Sequence, residues 1–373
     1  MHDLMLMRLA NPSSQHADGR KARRIVEQAR DTILRQCGAR TVGMESDQLL
    51  FTSGGTEANN LAIFGLSDLH PGAIVVSAIE HPSVLESVTQ AASQRRPVHF
   101  LPVDHDGVTC LKSLQSLLDL HHQGMPIALV SIMLANNETG VLQPVYEAAQ
   151  MCHRSGVLIH TDAVQVLGKE KLDFASLDVD AMTVTAHKIH GPVGIGGLIL
   201  RHGIQVAPRS FGGFQQLGLR PGTEMPVLAG GFEEAVLWAT TDLDSRTKSM
   251  RGLRDLLQHE IQRSVDGCFV AGEQSPRLPH TLSISFPGIE RQALQLALDM
   301  AGIACSTGSA CASGSSQSSH VLEAMHLPPE IIKGGIRFGV SIETTQAEVV
   351  ATAEELVRLI PKLRQSTPSL GKT

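Results

Sequence analysis

Short apolar segments alternate along this chain with longer segments in which apolar residues recur at helical spacing. The strand-like segments cover residues 48–52, 73–77, 127–134, 157–160, 181–185 and 198–201. The helix-like segments lie between them, at about 19–37, 57–65, 145–154 and from 83 onward. Alternation of strands and helices on this scale predicts an α/β fold with a mostly parallel sheet and helices on both of its faces.

The pattern changes near residue 245. A helical region extends from about 227 to 261 and leads into a strand at 282–286, a helix at 292–301 and a final helix at 346–363. A chain of 373 residues is also long for a single hydrophobic core. We therefore predict a large domain over residues 1–245 and a smaller α+β domain over residues 246–373.

Residues 181–192 place a lysine at the end of a buried strand. The strand runs into His187 and Lys188, and Gly191 with Pro192 ends the element. Ligands of open α/β sheets bind at the carboxyl ends of the strands. A partly desolvated amine at this position loses its proton more readily and can form a Schiff base with an aldehyde. The alternative is a lysine whose ammonium group simply reaches solvent.

Other polar residues follow strands at the same predicted edge of the sheet, and they are Thr56, His81, Asn137 and Asp162. Each of them alone is typical of a turn or a helix N-cap, but together they indicate a binding site. The turn at 53–56 is rich in glycine and leads into a helix, whose first N–H groups and positive dipole end can bind a phosphate. It lacks the Gly-Lys-Ser/Thr of a Walker loop and the full GxGxxG pattern, so a simple connection remains the alternative.

Composition restricts the classes of function. The content of 42% hydrophobic and 18% charged residues is ordinary for a soluble globular protein. A net charge of −6 with 3% aromatic residues argues against nucleic-acid binding. Residues 1–10 are too few to span a membrane and lack the layout of a signal peptide. Scattered cysteines without a CxxC pair predict neither a disulfide framework nor a metal site, so we expect a cytoplasmic protein.

Two long irregular segments are candidates for functional loops. Residues 211–224 contain too little apolar sequence for a core element, and long loops tend to be functional. Residues 303–319 are rich in glycine and serine, which is also typical of a linker, but they contain Cys305 and Cys311. Because a linker does not need a thiol, we favour a loop that carries a nucleophile.

These parts match the needs of pyridoxal phosphate. The aldehyde of this cofactor needs an amine, for which Lys188 is the candidate. Its pyridine nitrogen needs an anion that keeps it protonated, for which Asp162 is the candidate, and His81 could stack on the ring. Candidates for binding the phosphate share an N–H or hydroxyl group, and they are Gly55, Thr56 and Thr185. Cys311 would supply a thiol to a substrate bound at the cofactor.

The sequence also resembles the cysteine desulfurases of the class V aminotransferase fold, in particular their group I (NifS/IscS-like) members. The resemblance runs from Asn11 to the C-terminal helix, with the motifs in the family's order and rough spacing. The matching motifs are Ser53-Gly54-Gly55-Thr56-Glu57-Ala58-Asn59-Asn60, Glu80-His81, Asn136-Asn137-Glu138, Asp162-Ala163-Val164-Gln165, His187-Lys188-Ile189-His190-Gly191-Pro192, Arg220-Pro221-Gly222-Thr223 and Gly308-Ser309-Ala310-Cys311. It implies a large domain with a mostly parallel, seven-stranded type of sheet and a small C-terminal domain that carries the loop of Cys311.

The resemblance implies a role for each matching residue. Lys188 would form the Schiff base with pyridoxal 5′-phosphate, His81 would stack on its ring, and Asp162 would pair with the pyridine nitrogen. The other cofactor-binding residues would contact the ring oxygen or the phosphate, and they are Gly55, Thr56, Asn137, Gln165, Thr185, His187 and, from the second subunit of a homodimer, Thr223. Arg337 would bind the substrate carboxylate as a bidentate fork, with Asn137 also in the substrate site.

The implied reaction removes sulfur from L-cysteine and leaves L-alanine and a persulfide on Cys311, which a sulfur-acceptor protein then takes up. A free thiol with a pKa of ~8.5 is only a few per cent ionised at pH 7. Full ionisation is worth roughly 2 kcal/mol of activation, and either a histidine or the substrate amine could bring it about. The sequence does not choose between iron–sulfur, tRNA, cofactor and DNA sulfur pathways.

The sequence departs from the family pattern in places. Family members usually open with a strand and an Ala-Thr-Thr-Pro loop before the Asn-Pro-Ser turn at 11–13, and Val193 stands where they have a lysine. We interpret Cys305 as a packing residue rather than a resolving thiol. Two alternatives therefore stand beside the desulfurase: another class V enzyme, such as an aminotransferase or a selenocysteine lyase, or a non-catalytic partner subunit.

Overall fold

The computed structural model describes residues 1–308 and 318–366, which group into two compact units. The first unit consists of residues 1–102, 110–134 and 143–243. The second consists of residues 103–109 and 135–142 together with the chain from 244 onward. The sequence predicts a single domain for residues 1–245, whereas in the structure residues 103–109 and 135–142 group with the C-terminal unit.

The first unit combines strands with the helices that connect them. Its elements are α1 (His2–Leu6), α2 (Ala17–Gln36), β1 (Gln48–Thr52), α3 (Gly55–Ser67), β2 (Ala73–Ser77), α4 (Pro82–Ser93), β3 (Val98–Leu101), α5 (Leu111–His122), β4 (Ile127–Ser131), α6 (Val145–Arg154), β5 (Leu158–Asp162), α7 (Phe174–Leu177), β6 (Ala181–Thr185), β7 (Gly196–Leu200) and α8 (Pro226–Thr240). Single 3₁₀ segments occupy His187–Ile189 and Gln215–Gly218.

The sheet of this unit has seven strands in the order β1-β7-β6-β5-β4-β2-β3. Neighbours from β6 through β3 pair in parallel, whereas β7 pairs antiparallel with both β6 and β1. All strands except β7 therefore point the same way, and their carboxyl ends lie at one edge. The mostly parallel α/β sheet that the sequence predicts is confirmed, with one reversed strand that the alternation pattern did not indicate.

Helix α3 supplies much of the core against this sheet because it is apolar around most of its circumference. Its buried residues Leu61, Ile63 and Leu66 are at most 3% exposed, and they belong to one cluster with the inner residues of α4 and of the strands. A helix that is apolar on nearly every side has to be buried on nearly every side. This burial fixes α3, and with it the glycine turn at its N-terminus, against the sheet.

A buried histidine connects three neighbouring strands. His160 on β5 is fully buried, its Nδ1 lies 2.9 Å from the Ser131 Oγ on β4, and its Nε2 lies 3.0 Å from the Thr183 Oγ1 on β6. Burial lowers the pKa of the His160 imidazole to about 3. The ring is therefore neutral in the native state, and both of its nitrogens are hydrogen-bonded within the sheet.

The second unit is built on a three-stranded antiparallel sheet in the order β10-β9-β8. Its elements are α9 (Leu243–Ser264), β8 (Phe269–Val270), β9 (Thr281–Ser285), α10 (Arg291–Met300), α11 (His320–Ala324), α12 (Pro329–Lys333), β10 (Gly335–Gly339) and α13 (Gln346–Ser366). Apolar residues of α9, α10 and α13 cover this sheet in one core, for example Ile261, Leu294 and Leu356, each fully buried.

Several elements differ from the sequence prediction. The helical region expected at 227–261 is divided into α8 and α9, and Asp242 between them has a φ of +51°, which a continuous helix does not allow. Strand β3 and helix α5 were not predicted. Helix α5 has a signal that could have revealed it, since Leu111, Leu114 and Leu118 recur at helical spacing.

Two kinds of feature are missing from the part of the chain that the structure describes. No helix there is long and apolar enough to cross a membrane. Within the same residues, no group of three or more His, Cys, Asp or Glu side chains is arranged to hold a metal ion.

The buried His160 predicts a pH-dependent stability. In the unfolded chain the His160 ring has its ordinary pKa of 6.5 and binds a proton below that pH, whereas in the native state it stays neutral down to about pH 3. The free energy of unfolding therefore decreases as the pH falls from 6.5 toward 3. At pH 5 the loss is roughly 2 kcal/mol of unfolding free energy. Urea unfolding at pH 7 and pH 5 should therefore show a smaller pH effect in His160→Gln than in the wild type.

The control for this experiment is His99→Gln, which changes an exposed histidine on strand β3 of the same sheet. This variant should keep the full pH dependence of the wild type. An equal loss of stability in all three proteins would contradict the assignment to His160.

Candidate active site

Lys188 lies immediately beyond the carboxyl end of β6. The strand ends at Thr185, and the 3₁₀ turn His187–Ile189 carries the lysine, whose side chain is exposed. The turn is closed by the Gly191 N–H, which donates to the Ala186 carbonyl at 2.9 Å. A Cβ on Gly191 would lie 2.7 Å from the Ala235 Cβ, so only glycine lets this turn pack against α8.

Asp162 ends the neighbouring strand β5, and its carboxylate is buried with 6% exposure. Its Oδ2 accepts a hydrogen bond from the Asn59 Nδ2 at 2.7 Å, and its Oδ1 accepts one from the Val164 N–H at 2.9 Å. Burial raises the pKa of the Asp162 carboxyl, while these two bonds and the charges of His81 and Lys188 act in the opposite direction. A cation placed beside this carboxylate would therefore be strongly favoured.

His81 is the N-cap of α4, and its backbone leaves the helix in an extended conformation with Pro82 as the first helical residue. The ring Nδ1 accepts the Ser83 N–H at 3.1 Å and lies 2.8 Å from the Ser83 Oγ. The Asn59 Nδ2, which donates to Asp162, also donates to this Ser83 Oγ at 2.8 Å. The structure thus brings His81 and Asp162 together through two side chains that the sequence analysis did not single out.

The geometry of the glycine turn before α3 suits an anion. The N-cap residue of α3 is Gly54, with a φ of +156°. Because glycine has no side chain that could cap the helix, the first N–H groups of α3 have no helical acceptor. Gly196 on β7 permits this turn to lie where it does, because a Cβ there would stand 2.7 Å from the Gly54 carbonyl carbon. The Cβ position of Gly55 lies 3.3 Å from the Val164 Cγ2, so the turn also stands beside the end of β5.

Side chains around the turn hold it in place. The Ser53 N–H donates to the Glu57 Oε2 at 2.6 Å, and the Arg220 Nε forms an ion pair with the Glu57 Oε1 at 2.8 Å. Although burial opposes it, the bonds from Arg220 and Ser53 leave the pKa of the Glu57 carboxyl below its ordinary value. The Glu57 carboxylate therefore stays ionised, and its ion pair with Arg220 holds the loop that contains Arg220 against the glycine turn.

Hydroxyl and imidazole groups add donors near the start of the lysine turn. The Thr185 Oγ1 is buried, donates to the Ile195 carbonyl at 3.2 Å, and lies 3.1 Å from the His187 Nδ1. Burial, followed by the charge of Lys188, lowers the pKa of His187. Of the remaining predicted residues of this unit, Thr56 and Thr223 are exposed and Gln165 is half-buried.

The second unit contains the predicted substrate residues. Arg337 on β10 is half-buried, and its Nη1 donates to the Asn137 carbonyl at 2.7 Å. Its backbone pairs with Ser306, so the chain that leads to residue 308 runs beside β10. The Asn137 Oδ1 is buried and has no hydrogen-bond partner among the residues that the structure describes.

Glu138 contacts both ends of the segment that contains Cys311. Its carboxylate is 4% exposed, its Oε2 accepts a hydrogen bond from the Ser319 Oγ at 2.5 Å, and a Cβ on Gly308 would stand 2.6 Å from the same oxygen. Cys311 itself lies outside the described residues. The motif residue Glu138, to which the sequence analysis gave no role, therefore joins the two positions from which that segment starts and ends.

Cys305 is the other thiol of this region, and it packs partly buried against the core of the second unit. Burial, and then the charge of Asp299, raises the pKa of the Cys305 thiol to about 11. Only the thiolate is a good nucleophile. These findings favour the interpretation of Cys305 as a packing residue.

The residues of the first unit fit pyridoxal phosphate in three respects. A buried carboxylate that a cation would stabilise suits a pyridinium, a helix N-terminus without a side-chain cap suits a phosphate, and an amine at a strand end suits an aldehyde. The glycine turn at 54–55 lies so close to β7 that a Cβ on Gly196 would collide with the Gly54 backbone. This donor set matches the chemistry of each end of the cofactor.

Comparisons with known proteins agree with this assignment. Residues 2–351 match the model of the aminotransferase class-V family. The cysteine desulfurase IscS of Dictyoglomus turgidum is 35% identical over 371 residues, which cover 99% of this chain and 92% of the relative. A cysteine desulfurase of Cereibacter sphaeroides is 40% identical and covers 96% of this chain, and 90% of the relative is covered. A solved NifS-like protein superimposes with a TM-score of 0.85 and 32% identity, covering 95% of this chain and 92% of that one.

The fold and the family match define a pyridoxal-phosphate enzyme of the class V aminotransferase type. Within that class, the chain belongs to the NifS/IscS-like cysteine desulfurases, as the extent and identity of the matches establish. The resemblance inferred from the sequence motifs, the predicted fold class and the predicted cofactor are thereby confirmed.

The close approach of Gly196 to the glycine turn predicts the effect of one added methyl group. Gly196→Ala should displace the backbone of Gly54 and weaken the binding of pyridoxal phosphate by roughly tenfold, since overpacking costs about 1–3 kcal/mol. Fluorescence titration of the cofactor-free protein measures this affinity. The control is Gly252→Ala on α9, where an added Cβ meets nothing within 4 Å. Unchanged affinity in a folded Gly196→Ala protein would contradict the proposed role of the glycine turn.

Proposed function

We propose that this protein is a pyridoxal-phosphate-dependent L-cysteine desulfurase that removes sulfur from L-cysteine, releases L-alanine and carries the sulfur as a persulfide on Cys311. The observation that supports this most is the arrangement at the carboxyl ends of β5 and β6, where a buried carboxylate lies within the electrostatic reach of a strand-end lysine. Near-complete matches to cysteine desulfurases support the choice of substrate.

Several residues of the first unit would hold the cofactor. Lys188 would bind its aldehyde, Asp162 would accept a hydrogen bond from the protonated pyridine nitrogen, and His81 would stack on the ring. The phosphate and the ring oxygen would be bound by Gly55, Thr56, Asn137, Gln165, Thr185 and His187. When bound, pyridoxal phosphate supplies an electron sink that acidifies the substrate Cα–H and weakens its Cβ–S bond.

The chain's own groups would then move protons and sulfur. The Lys188 amine, once released from the cofactor, would carry the substrate Cα proton. The Arg337 guanidinium would bind the substrate carboxylate and thereby orient Cα and Cβ. The Cys311 thiolate would attack the substrate sulfur, so that the new S–S bond forms as the Cβ–S bond breaks and the carbon skeleton takes up protons to become alanine.

Partners follow from the same proposal. Thr223 lies exposed in the loop before α8, and we place it at the phosphate of a second subunit in a homodimer. Exposed apolar residues near it, Phe211, Phe214 and Met225, are between 59% and 88% exposed and suit such an interface. The persulfide would pass to a sulfur-acceptor protein in the cytoplasm.

Replacing the proposed sulfur acceptor separates the desulfurase from other class V enzymes. Cys311→Ser should bind pyridoxal phosphate with unchanged affinity but lose sulfur release from L-cysteine, because a hydroxyl cannot take up the sulfur. Mass spectrometry of the wild type after incubation with L-cysteine should find the additional sulfur on Cys311. An aminotransferase would keep its activity in the variant, and a non-catalytic subunit would form no alanine from cysteine even in the wild type.

The planar, two-pronged guanidinium of Arg337 should be needed for binding the carboxylate of L-cysteine. Arg337→Lys keeps the charge but loses the bidentate fork, so we expect the KM for L-cysteine to rise about tenfold or more with a smaller change in kcat. Arg358→Lys on α13, an exposed arginine paired with Glu355, is the matched control and should leave both constants unchanged. An unaltered KM in Arg337→Lys would contradict the proposed carboxylate site.

A further inference from the structure

A continuous hydrogen-bonded chain of side chains connects the two predicted cofactor contacts Asp162 and His81. The Asn59 Nδ2 donates to the Asp162 Oδ2 at 2.7 Å and to the Ser83 Oγ at 2.8 Å, and the Ser83 Oγ lies 2.8 Å from the His81 Nδ1. The two connecting residues are buried, with Asn59 1% and Ser83 8% exposed. Neither residue has a role in the proposed reaction.

The direction of the chain follows from its ends. An ionised carboxylate can only accept hydrogen bonds, so the Asn59 side chain must turn its NH₂ group toward Asp162. If the amide were flipped, its carbonyl oxygen would lie against the Asp162 Oδ2 and the Ser83 Oγ, and it could not donate to either. The same NH₂ group also donates a hydrogen bond to the Ser83 Oγ. The Ser83 hydroxyl is then left with its own proton, which it can donate to the His81 Nδ1.

The His81 Nδ1 has a second donor in the Ser83 backbone N–H at 3.1 Å. A ring nitrogen that accepts hydrogen bonds carries no proton, and in a neutral imidazole the other nitrogen then carries it. The neutral His81 is therefore the tautomer with its proton on Nε2, at the far side of the ring from α4. On that side the neutral ring donates a hydrogen bond and cannot accept one.

We propose that Asn59 and Ser83 are positioning residues that lock His81 in the Nε2–H tautomer and tie it to Asp162. The role in sulfur release rests on the proposed function, whereas the tautomer itself does not. The neutral His81 ring then acts at Nε2 as a hydrogen-bond donor toward the bound substrate, and proton removal from the substrate is left to Lys188.

The test is ¹⁵N NMR of histidine-labelled full-length protein, with and without pyridoxal phosphate, in which a His81→Gln spectrum assigns the His81 signals. The wild type should show the Nε2–H tautomer above the titration range of the ring. Ser83→Ala and Asn59→Ala should each shift the tautomer ratio toward Nδ1–H by about tenfold, the scale of one lost buried hydrogen bond. Ser83→Thr keeps the hydroxyl and should restore the wild-type ratio.

The matched control is Ser87→Ala. Ser87 is buried one turn further along α4, and its hydroxyl donates to a backbone carbonyl, that of Ser83, at 2.7 Å. This variant should keep the wild-type tautomer. In the loaded enzyme, Ser83→Ala should lower kcat about tenfold with little change in the KM for L-cysteine, and the combined Asn59→Ala/Ser83→Ala protein should lose no more than either variant.

Two results would overturn the inference: a wild-type His81 with its proton on Nδ1, or a wild-type tautomer ratio in folded Ser83→Ala. If Asn59→Ala does not fold, Ser83→Ala still decides, since it removes a single hydroxyl. A correct tautomer in a protein that releases no sulfur from L-cysteine would refute the proposed function and leave the inference standing.

Discussion

The burial of the Asp162 carboxylate is the constraint on which the rest of the site depends. A carboxylate at the end of an interior strand is costly unless donors and a cation compensate it, and here the donors are one side-chain amide and one backbone N–H. The positive charge of Lys188, and that of the His81 ring whenever it is protonated, acts in the same direction on the pKa of this carboxyl. The position of this charge therefore restricts which groups can stand beside it, and it agrees with the proposed place of the protonated cofactor ring.

The sheet brings these groups together because its parallel strands end at one edge. Strand β5 brings Asp162, β6 brings the turn with Lys188, β2 leads to His81, and β1 leads to the glycine turn of α3. Strand β7, the reversed strand, contributes by having no side chain at Gly196, where the turn passes it. The architecture thus fixes the positions of the Asp162 carboxylate, the Lys188 turn and the glycine turn relative to each other.

The sequence allowed the strand ends to be predicted because short apolar runs followed by polar residues are a local signal. It did not reveal Asn59, since an amide at a buried position of an apolar helix becomes meaningful only when its partner, more than a hundred residues away, is known. The same holds for Glu138, whose partner Ser319 is distant in the chain. The membership of 135–142 in the second unit also depends on contacts with distant residues, such as the hydrogen bond from the Leu278 N–H to the Gly140 carbonyl.

The most direct test of the central claim is to find which lysine holds the cofactor. Borohydride reduction of the protein loaded with pyridoxal phosphate, followed by peptide mapping, fixes the cofactor to its lysine as a stable amine. We expect the pyridoxyl group on Lys188 in the wild type and its loss in Asp162→Ala, where the compensating anion is gone. Labelling of another lysine, or full labelling of Lys188 without the carboxylate, would contradict the central claim.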